Sequence, residues 1–449
     1  MSSGNATAPD LGKMSTSDIV FPLHEFDDSP INRYMQHWTL RFDALLDTKK
    51  LCVALTHLLS LGDWRKLGGR LQFNKVGKLE IHAPRTYSHE RPAFQFSEET
   101  FSVKTTDHPV AKNLPRARGK PELFPGITSQ FNSLTLGPEW ALDFTEHIRR
   151  QEPIIGVHIA LFNDATLISI RWVHVVCDFM GIKALVLAWS MDLRGRYDDI
   201  PPFMGAYDDP LKNIGSVPPR EPYALAGMQL SPEAFKKTYE KYLEHVARYP
   251  ISVRRMLVLP DSTLQRIKMD FVGGRDSDKL EVIPKGALLN GKFPRLHRQC
   301  NFLDLYQHET ALLVRESVAT LTKAPQVHAQ LHLLRESYAK DKENPPVFAA
   351  RDSFVLVVSN FSKMAFFDSI DFSPAVIAPA PAGHGKSPGK LAWHQWTSLE
   401  HNTHIRNMFQ VGGRDGQGNT WMMAILPPET WAVVEEHLAG LADARPSKL

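Results

Sequence analysis

Residues 166–193, TLISIRWVHVVCDFMGIKALVLAWSMDL, constrain this chain more than any other stretch. The run TLISIRWV has the two-residue period of a strand. Ile168, Ile170, Trp172 and His174 fall on one face, and Leu167, Ser169, Arg171 and Val173 on the other. FMGIKALVLAWSMDL is an apolar-rich helix candidate, and Asp178 stands where its carboxylate would cap that helix. His174 therefore sits at a strand end on the face that carries Ile168, Ile170 and Trp172. An imidazole so placed can take a proton from a hydroxyl and pass it to a leaving group, and a partly dry setting keeps it neutral and ready to accept. Taken alone, a histidine at a strand end is more often a hydrogen-bonded structural residue than a catalyst.

The rest of the chain alternates strand and helix patterns, which predicts a mixed α/β fold. An extended segment covers MQHWTLRFD, and Leu51, Leu55, Leu58 and Leu59 give one apolar face to a helix over residues 49–60. RLQFN and KLEIH flank a Lys75-Val76-Gly77 turn as a hairpin, and IIGVHIALF with TLISIRWV forms a second. Residues 84–135 are Pro-rich and mixed, and read as an irregular surface path. DDIPPFMGAYDDPLKNIGSVPPREP concentrates Pro, Gly and Asp as a linker does. The expected organisation is a polar leader over 1–20, a first domain over 21–200, a linker over 201–228 and a second domain over 229–449. In the second domain Ser231 and Pro232 open a long helix, RRMLVLP and SFVLVVS read as strands, and LDLYQHETALLVRESVATL reads as a helix. IAPAPAGHGKSPGK reads as a mobile loop.

At 449 residues, two domains of sizeable core are expected. A net charge of +3 (52 Lys and Arg against 49 Asp and Glu) is too small to imply nucleic-acid or membrane binding by charge alone. Cys52, Cys177 and Cys300 are far apart and odd in number, which argues against a disulfide framework and for a reducing compartment. With no charged leader followed by an apolar run, and no stretch of 18 apolar residues, a cytoplasmic location is expected. His401 and His404 are three apart without a third ligand, so no metal is expected. GGRDGQGN, between two β-patterned runs, reads as a hairpin loop.

The combination H-x-x-x-D at a strand end, then Gly and an A-L-x-x-x-W helix, resembles the central signature of the BAHD acyltransferases and their chloramphenicol-acetyltransferase-like relatives. Three further segments are similar to that family in its order. LLSLGDWRKLGGRLQFNKVGKLEIHAP at 58–84 matches its early helix and hairpin, VVSNFSKMAFFDSIDFSP at 357–374 its second signature, and TWMMAILPPETWAVVEEHL at 420–438 its closing strand and helix. The flavour is that of the fungal branch, and the likeness runs from about residue 35 to 440.

The resemblance implies two chloramphenicol-acetyltransferase-like domains, each a mixed sheet flanked by helices, with a channel between them. It implies transfer of an acyl group, with acetyl expected, from coenzyme A to a hydroxyl of a small, rather apolar specialised metabolite. The expected chain is a monomer with no permanently bound cofactor. His174 is the expected general base. Ser359 and Asn360 are the candidates for the oxyanion site, because Phe361 replaces the family's Trp and has no N–H to donate. Asp178 and Asp371 are expected to brace loops through ion pairs, Asp178 with an arginine, and Trp172, Phe179 and Phe361 to line the channel. Lys386 and Lys390, in a segment whose spacing is not that of a phosphate loop, are candidates for the coenzyme A phosphates. Two departures stand out: Phe179 replaces the Gly that usually follows the motif Asp, and DFSPA at 371–375 lacks the Gly-Trp-Gly ending. A cyclase or isomerase on the same fold, or a metabolite-binding protein, is the alternative reading.

Overall fold

The structure, a computed structural model, describes residues 18–126, 129–272, 314–342, 344–349, 356–379, 388–399 and 406–443. Two five-stranded mixed sheets organise it. With strands numbered in chain order, the first runs β13 (Leu391–Ser398), β2 (Met35–Phe42), β9 (Thr166–Val173), β8 (Gly156–Leu161), β6 (Gln95–Thr100). The second runs β11 (Val357–Asn360), β14 (Met408–Arg414), β15 (Thr420–Leu426), β10 (Val253–Leu259), β7 (Glu122–Pro125). Neighbours are antiparallel except β6 with β8 and β11 with β14. Two smaller sheets, β1 (Ile19–Pro22) with β5 (Leu79–Ala83) and β4 (Arg70–Phe73), and β12 (Val376–Pro379) with β3 (Ala44–Leu46), complete the β structure of the described residues.

The expected hairpins form where the pattern placed them, β4 with β5 around Gly77 at φ +77° and β8 with β9. The helices Thr48–Leu58, Phe179–Leu193 and Pro232–Arg248 also follow the sequence signals, each with its Asp or Ser cap accepting a backbone N–H: Asp47 from Lys50, Asp178 from Gly181, Ser231 from Ala234. Residues 84–135 differ from the expected irregular path, since they supply β6 and β7. Both are edge strands, and β6 leaves Phe96 42% exposed. Backbone pairing on one side holds such a strand without the apolar alternation that would announce it. SFVLVVS contributes an edge as well, with Val357 exposed, and its residues 353–355 lie outside the described set, as does 303–313 of the expected helix over 303–321.

Each sheet takes a strand from the other half of the chain. β13 closes the first sheet against β2, with Trp396 opposite Trp38, while β7 closes the second against β10. The apolar core is accordingly continuous across both halves, from Trp38, Ile170 and Trp189 to Met256, Phe372 and Trp421. Residues 201–228 contain no strand and only a short 3-10 turn, and they are tied down. Arg335 donates to the carbonyls of Leu211 and Ile214, and Gln326 accepts from Ala224 N at 2.7 Å. No described helix is long and apolar enough to cross a membrane.

The two faces of β9 have different fates. Ile168, Ile170 and Trp172 pack beside Leu40, Trp38 and Gln36 of β2. On the other face Arg171 is fully buried, paired with Glu152 and bonded to the Pro153 carbonyl at 3.1 Å. A charge held there persists because carboxylate and carbonyl acceptors replace its water.

Candidate active site

The end of β9 is held from both sides. His174 N donates to the Tyr34 carbonyl at 3.0 Å, extending the pairing with β2 by one residue, and Trp172 Nε1 donates to the Cys177 carbonyl at 3.1 Å, folding the connection back over the strand. Asp178 then caps the helix, its Oδ1 accepting from Gly181 N at 2.9 Å. A Cβ on Gly181 would lie 2.6 Å from Cys177 Cβ, so this tight exit requires glycine there. Asp178 is solvent-exposed and has no ion pair with an arginine among the described residues, unlike the brace the resemblance implied. The helix N-terminus already supplies its partner.

The His174 ring is stacked on Tyr34, centroids 4.8 Å apart and planes 25° apart. Its Nδ1 is buried without a hydrogen-bond partner among the described residues. Burial pushes the pKa below the ordinary histidine value, outweighing the opposite pull of the Asp178 charge and of its own backbone carbonyl. The imidazole is therefore neutral at pH 7, the state a base must be in before it acts.

His174 opens into a cavity of about 750 Å³ between the two sheets. The first sheet contributes Trp172, Gln36, Trp396 and Ser398, which register places side by side. The second contributes Ser359 and Gln410, paired across β11 and β14, then Met408, Ile425 and Arg254 in one row across β14, β15 and β10. Asp178, Phe179, Phe361 and the segment 30–34 close the ends.

Of the residues singled out in the sequence, His174, Asp178, Ser359, Trp172, Phe179 and Phe361 thus meet at one cavity. Phe179 is 7% exposed, locked among Trp38, Trp172, Phe361, Phe366 and Trp396 with ring centroids 4.8–6.0 Å away. The side chain that replaces the usual Gly is therefore wall rather than plug. Asn360 does not join the lining. Its Oδ1 accepts from Ser362 N at 3.0 Å and Ser362 Oγ at 2.7 Å, which shapes the turn after β11.

Lys390 is also elsewhere. It bonds Asp371 at 2.8 Å, and Asp371 further pairs with Arg194 and accepts from Ser373 N at 2.9 Å. Burial alone would raise the Asp371 pKa, but the Lys390 and Ser373 hydrogen bonds hold it below the usual carboxylate value. Arg194 ends the Phe179–Leu193 helix, so Asp371 braces that helix to the second half of the chain, and Lys390 takes part in this brace. We expect Asp371→Asn to cost about 1–3 kcal/mol in urea unfolding, the worth of charged hydrogen bonds lost at a partly buried site. A variant as stable as the parent would rule the brace out. Lys386, His401, His404 and Cys300 lie outside the described residues. Cys52 and Cys177 are free thiols, and no group of three potential metal ligands occurs among the described residues.

Sequence reasoning missed Tyr34, Gln36, Arg254 and Gln410. Gln36 carried a signal, as the one amide on the alternating face Gln36, Trp38, Leu40, Phe42. The others reach the cavity only through strand register.

No protein-family model matches the chain. It is 26% identical to the O-acetyltransferase PaAT-2 of Phomopsis amygdali, over 94% of this chain and 98% of that one. It is 28% identical to the acetyltransferase pyiB of Pyricularia grisea, over 94% of each. A relative from Penicillium decumbens, 26% identical over 96% of this chain and 97% of its own length, bears the name transcriptional regulator calD. Among solved structures, F. sporotrichioides TRI101 complexed with coenzyme A and T-2 superposes with a TM-score of 0.60 over 94% of this chain and 98% of that one, at 12% identity. At that identity the likeness establishes a common fold.

Proposed function

We infer that this chain, which shares the chloramphenicol-acetyltransferase-like fold with TRI101 and is kin to fungal acetyltransferases over nearly its whole length, is an acyl-coenzyme A-dependent O-acyltransferase. Acetyl is the acyl group and a hydroxyl of a small specialised metabolite the acceptor. The observation that carries this reading is the meeting of a neutral His174 and the Ser359 hydroxyl at one cavity between the sheets.

His174 takes the proton of the acceptor hydroxyl as its oxygen attacks the thioester carbonyl. The carbonyl oxygen becomes an oxyanion, to which Ser359 Oγ–H donates. Collapse of the tetrahedral intermediate breaks the carbon–sulfur bond, and the imidazolium returns the proton to the departing thiolate. Acylated acceptor and free coenzyme A leave, and His174 is neutral again. Tyr34 and Trp172 are positioning residues here, the first stacked on the ring and the second fixing the turn that carries it.

The test is release of free coenzyme A thiol when the protein meets acetyl-coenzyme A and hydroxylated metabolites, with product mass raised by one acetyl group. Turnover without thiol release would replace this reading by the cyclase or isomerase alternative. Because burial lowers the His174 pKa, kcat/KM should stay level from pH 8 downward and fall only below the ordinary histidine value of about 6.5. An acid limb centred above 6.5 would remove His174 as the base.

A further inference from the structure

The cavity wall beside His174 and Ser359 is aromatic, and it is two rings deep. The Phe179 ring packs on Trp172, Phe361 and Trp396 with centroids 6.0, 4.8 and 5.1 Å away, and all three of these residues line the cavity. It also meets Trp38 at 4.9 Å and Phe366 at 5.4 Å, which are completely buried and do not line the cavity. The ring is therefore a partition, with the cavity on one side and the core on the other.

Its place along the strands ties it to the chemistry. Trp172 lies two residues before His174 on the same face of β9. Phe361 lies two residues after Ser359, and the bond from Phe361 N to the Val411 carbonyl at 2.9 Å carries β11 on to it. Touching both, Phe179 spans from sheet to sheet one side-chain layer away from His174 and Ser359. Two residues of strand cover about 7 Å, and carbon atoms in contact stand about 3.5–4 Å apart. About 3 Å therefore remains for whatever a thioester carbonyl held between His174 and Ser359 carries towards the ring. A methyl group reaches about 1.5 Å from its carbonyl carbon and fits, whereas the four further carbons of a hexanoyl chain reach about 5 Å beyond that. Phe179 and Phe361 have no polar side-chain atom, and the Trp172 N–H is spent on the Cys177 carbonyl. A hydroxylated acceptor would lose hydrogen bonds to water against this surface; the hydrocarbon end of the acyl group loses none.

We propose that Phe179, backed by Trp38 and Phe366, measures the acyl group and confines the donor to acetyl or propanoyl. This rests on the acyltransferase reading above and goes further, because it assigns the length of the donor to one ring. Replacing Phe179 by Ala leaves an apolar hole, and its aromatic neighbours, packed on the two sheets, close it only in part. A dry apolar hole of this kind takes up a hydrocarbon guest.

Binding of coenzyme A, acetyl-coenzyme A and hexanoyl-coenzyme A to the full chain is measured by titration calorimetry. The parent is expected to bind hexanoyl-coenzyme A about tenfold more weakly than acetyl-coenzyme A, the low end of what a methylene that does not fit is worth. In Phe179→Ala the order is expected to reverse, with the hexanoyl thioester about tenfold the tighter. Phe179→Leu, which keeps more of the core filled, is expected to bring the ratio towards one, and it decides the matter if Phe179→Ala does not fold. Equal affinities for the two thioesters in the parent, or a ratio that the folded variants leave unchanged, would overturn the proposal, since a merely structural ring would alter stability and not the order of the donors. Failure to bind coenzyme A itself would sink the acyltransferase reading and this one with it, whereas coenzyme A binding without discrimination by length sinks only the role of Phe179.

Discussion

His174→Ala is expected to leave the protein folded and to lower acetyl transfer by about a thousandfold or more, within the range that a positioned general base contributes. The stability side follows from how the residue is held. The bond from His174 N to the Tyr34 carbonyl belongs to the backbone and survives the substitution, as do the Trp172 and Asp178 contacts that shape the turn. What is lost is a half-buried ring whose Nδ1 has no partner among the described residues, so its removal chiefly forfeits the stack on Tyr34. The kinetic loss should fall on kcat, with the KM for acetyl-coenzyme A little changed, since proton transfer stabilises the transition state rather than the bound thioester. Ser359→Ala should show the same pattern on a smaller scale, about a hundredfold in kcat, the worth of one oxyanion donor. Circular dichroism and steady-state kinetics on the purified variants decide the matter. Retention of full activity by His174→Ala would end the mechanism.

Legibility in the sequence tracks the kind of force that fixes each element. β9, β4, β5 and β8 and the capped helices were readable because their alternation, turn residues and caps are local. β6 and β7 were not, because an edge strand is held by backbone pairing and shows solvent a polar side. The exchange of β13 and β7 between the sheets leaves no local trace at all, since it depends on which distant strand each one meets. The same division runs through the site. His174, Asp178 and Ser359 lie in motifs that a reader of the chain can find. Arg254 and Gln410 become neighbours of Ser359 only through the pairing of β11, β14, β15 and β10. Asn360 and Lys390 show the opposite case: their residue types suit the chemistry, and what the chain alone does not disclose is their pairing with Ser362 and Asp371. Arg171 shows a third limit. Read as a polar position on an alternating strand, it is fully buried, and only its meeting with Glu152 from a separate segment makes that tolerable.

Acid should destabilise the fold well above the carboxylate range. Burial pushes His37, His147, His158 and His394 down to about 4, and all four are at most 4% exposed. His394 shows why the proton is refused. Trp38 Nε1 donates to its Nδ1 at 3.2 Å and its Nε2 donates to the Gly412 carbonyl at 3.0 Å, which fixes the neutral tautomer and links the first sheet to the second. A proton on Nδ1 would turn Trp38 from partner to opponent and loosen the wall of the cavity. His37 likewise faces the Thr135 carbonyl at 2.9 Å and feels the positive charge of Arg254. Since these native pKa values lie below the unfolded value of about 6.5, the unfolded chain binds more protons between pH 6.5 and 4. The stabilisation is fully present above pH 6.5 and is lost as pH falls towards 4. Each group contributes about 1.4 kcal/mol per pH unit in that window, so four together contribute about 5–6 kcal/mol per unit. Set against a typical total of about 5–15 kcal/mol, that slope brings unfolding near pH 5. Urea unfolding at pH 7.5 and 5.5 should show the midpoint falling sharply, and His37→Gln, neutral throughout, should flatten the slope by about one quarter. A midpoint that stays level across those two pH values would mean that the four histidines accept protons in place, and that the link from Trp38 through His394 to Gly412 does not hold the sheets together.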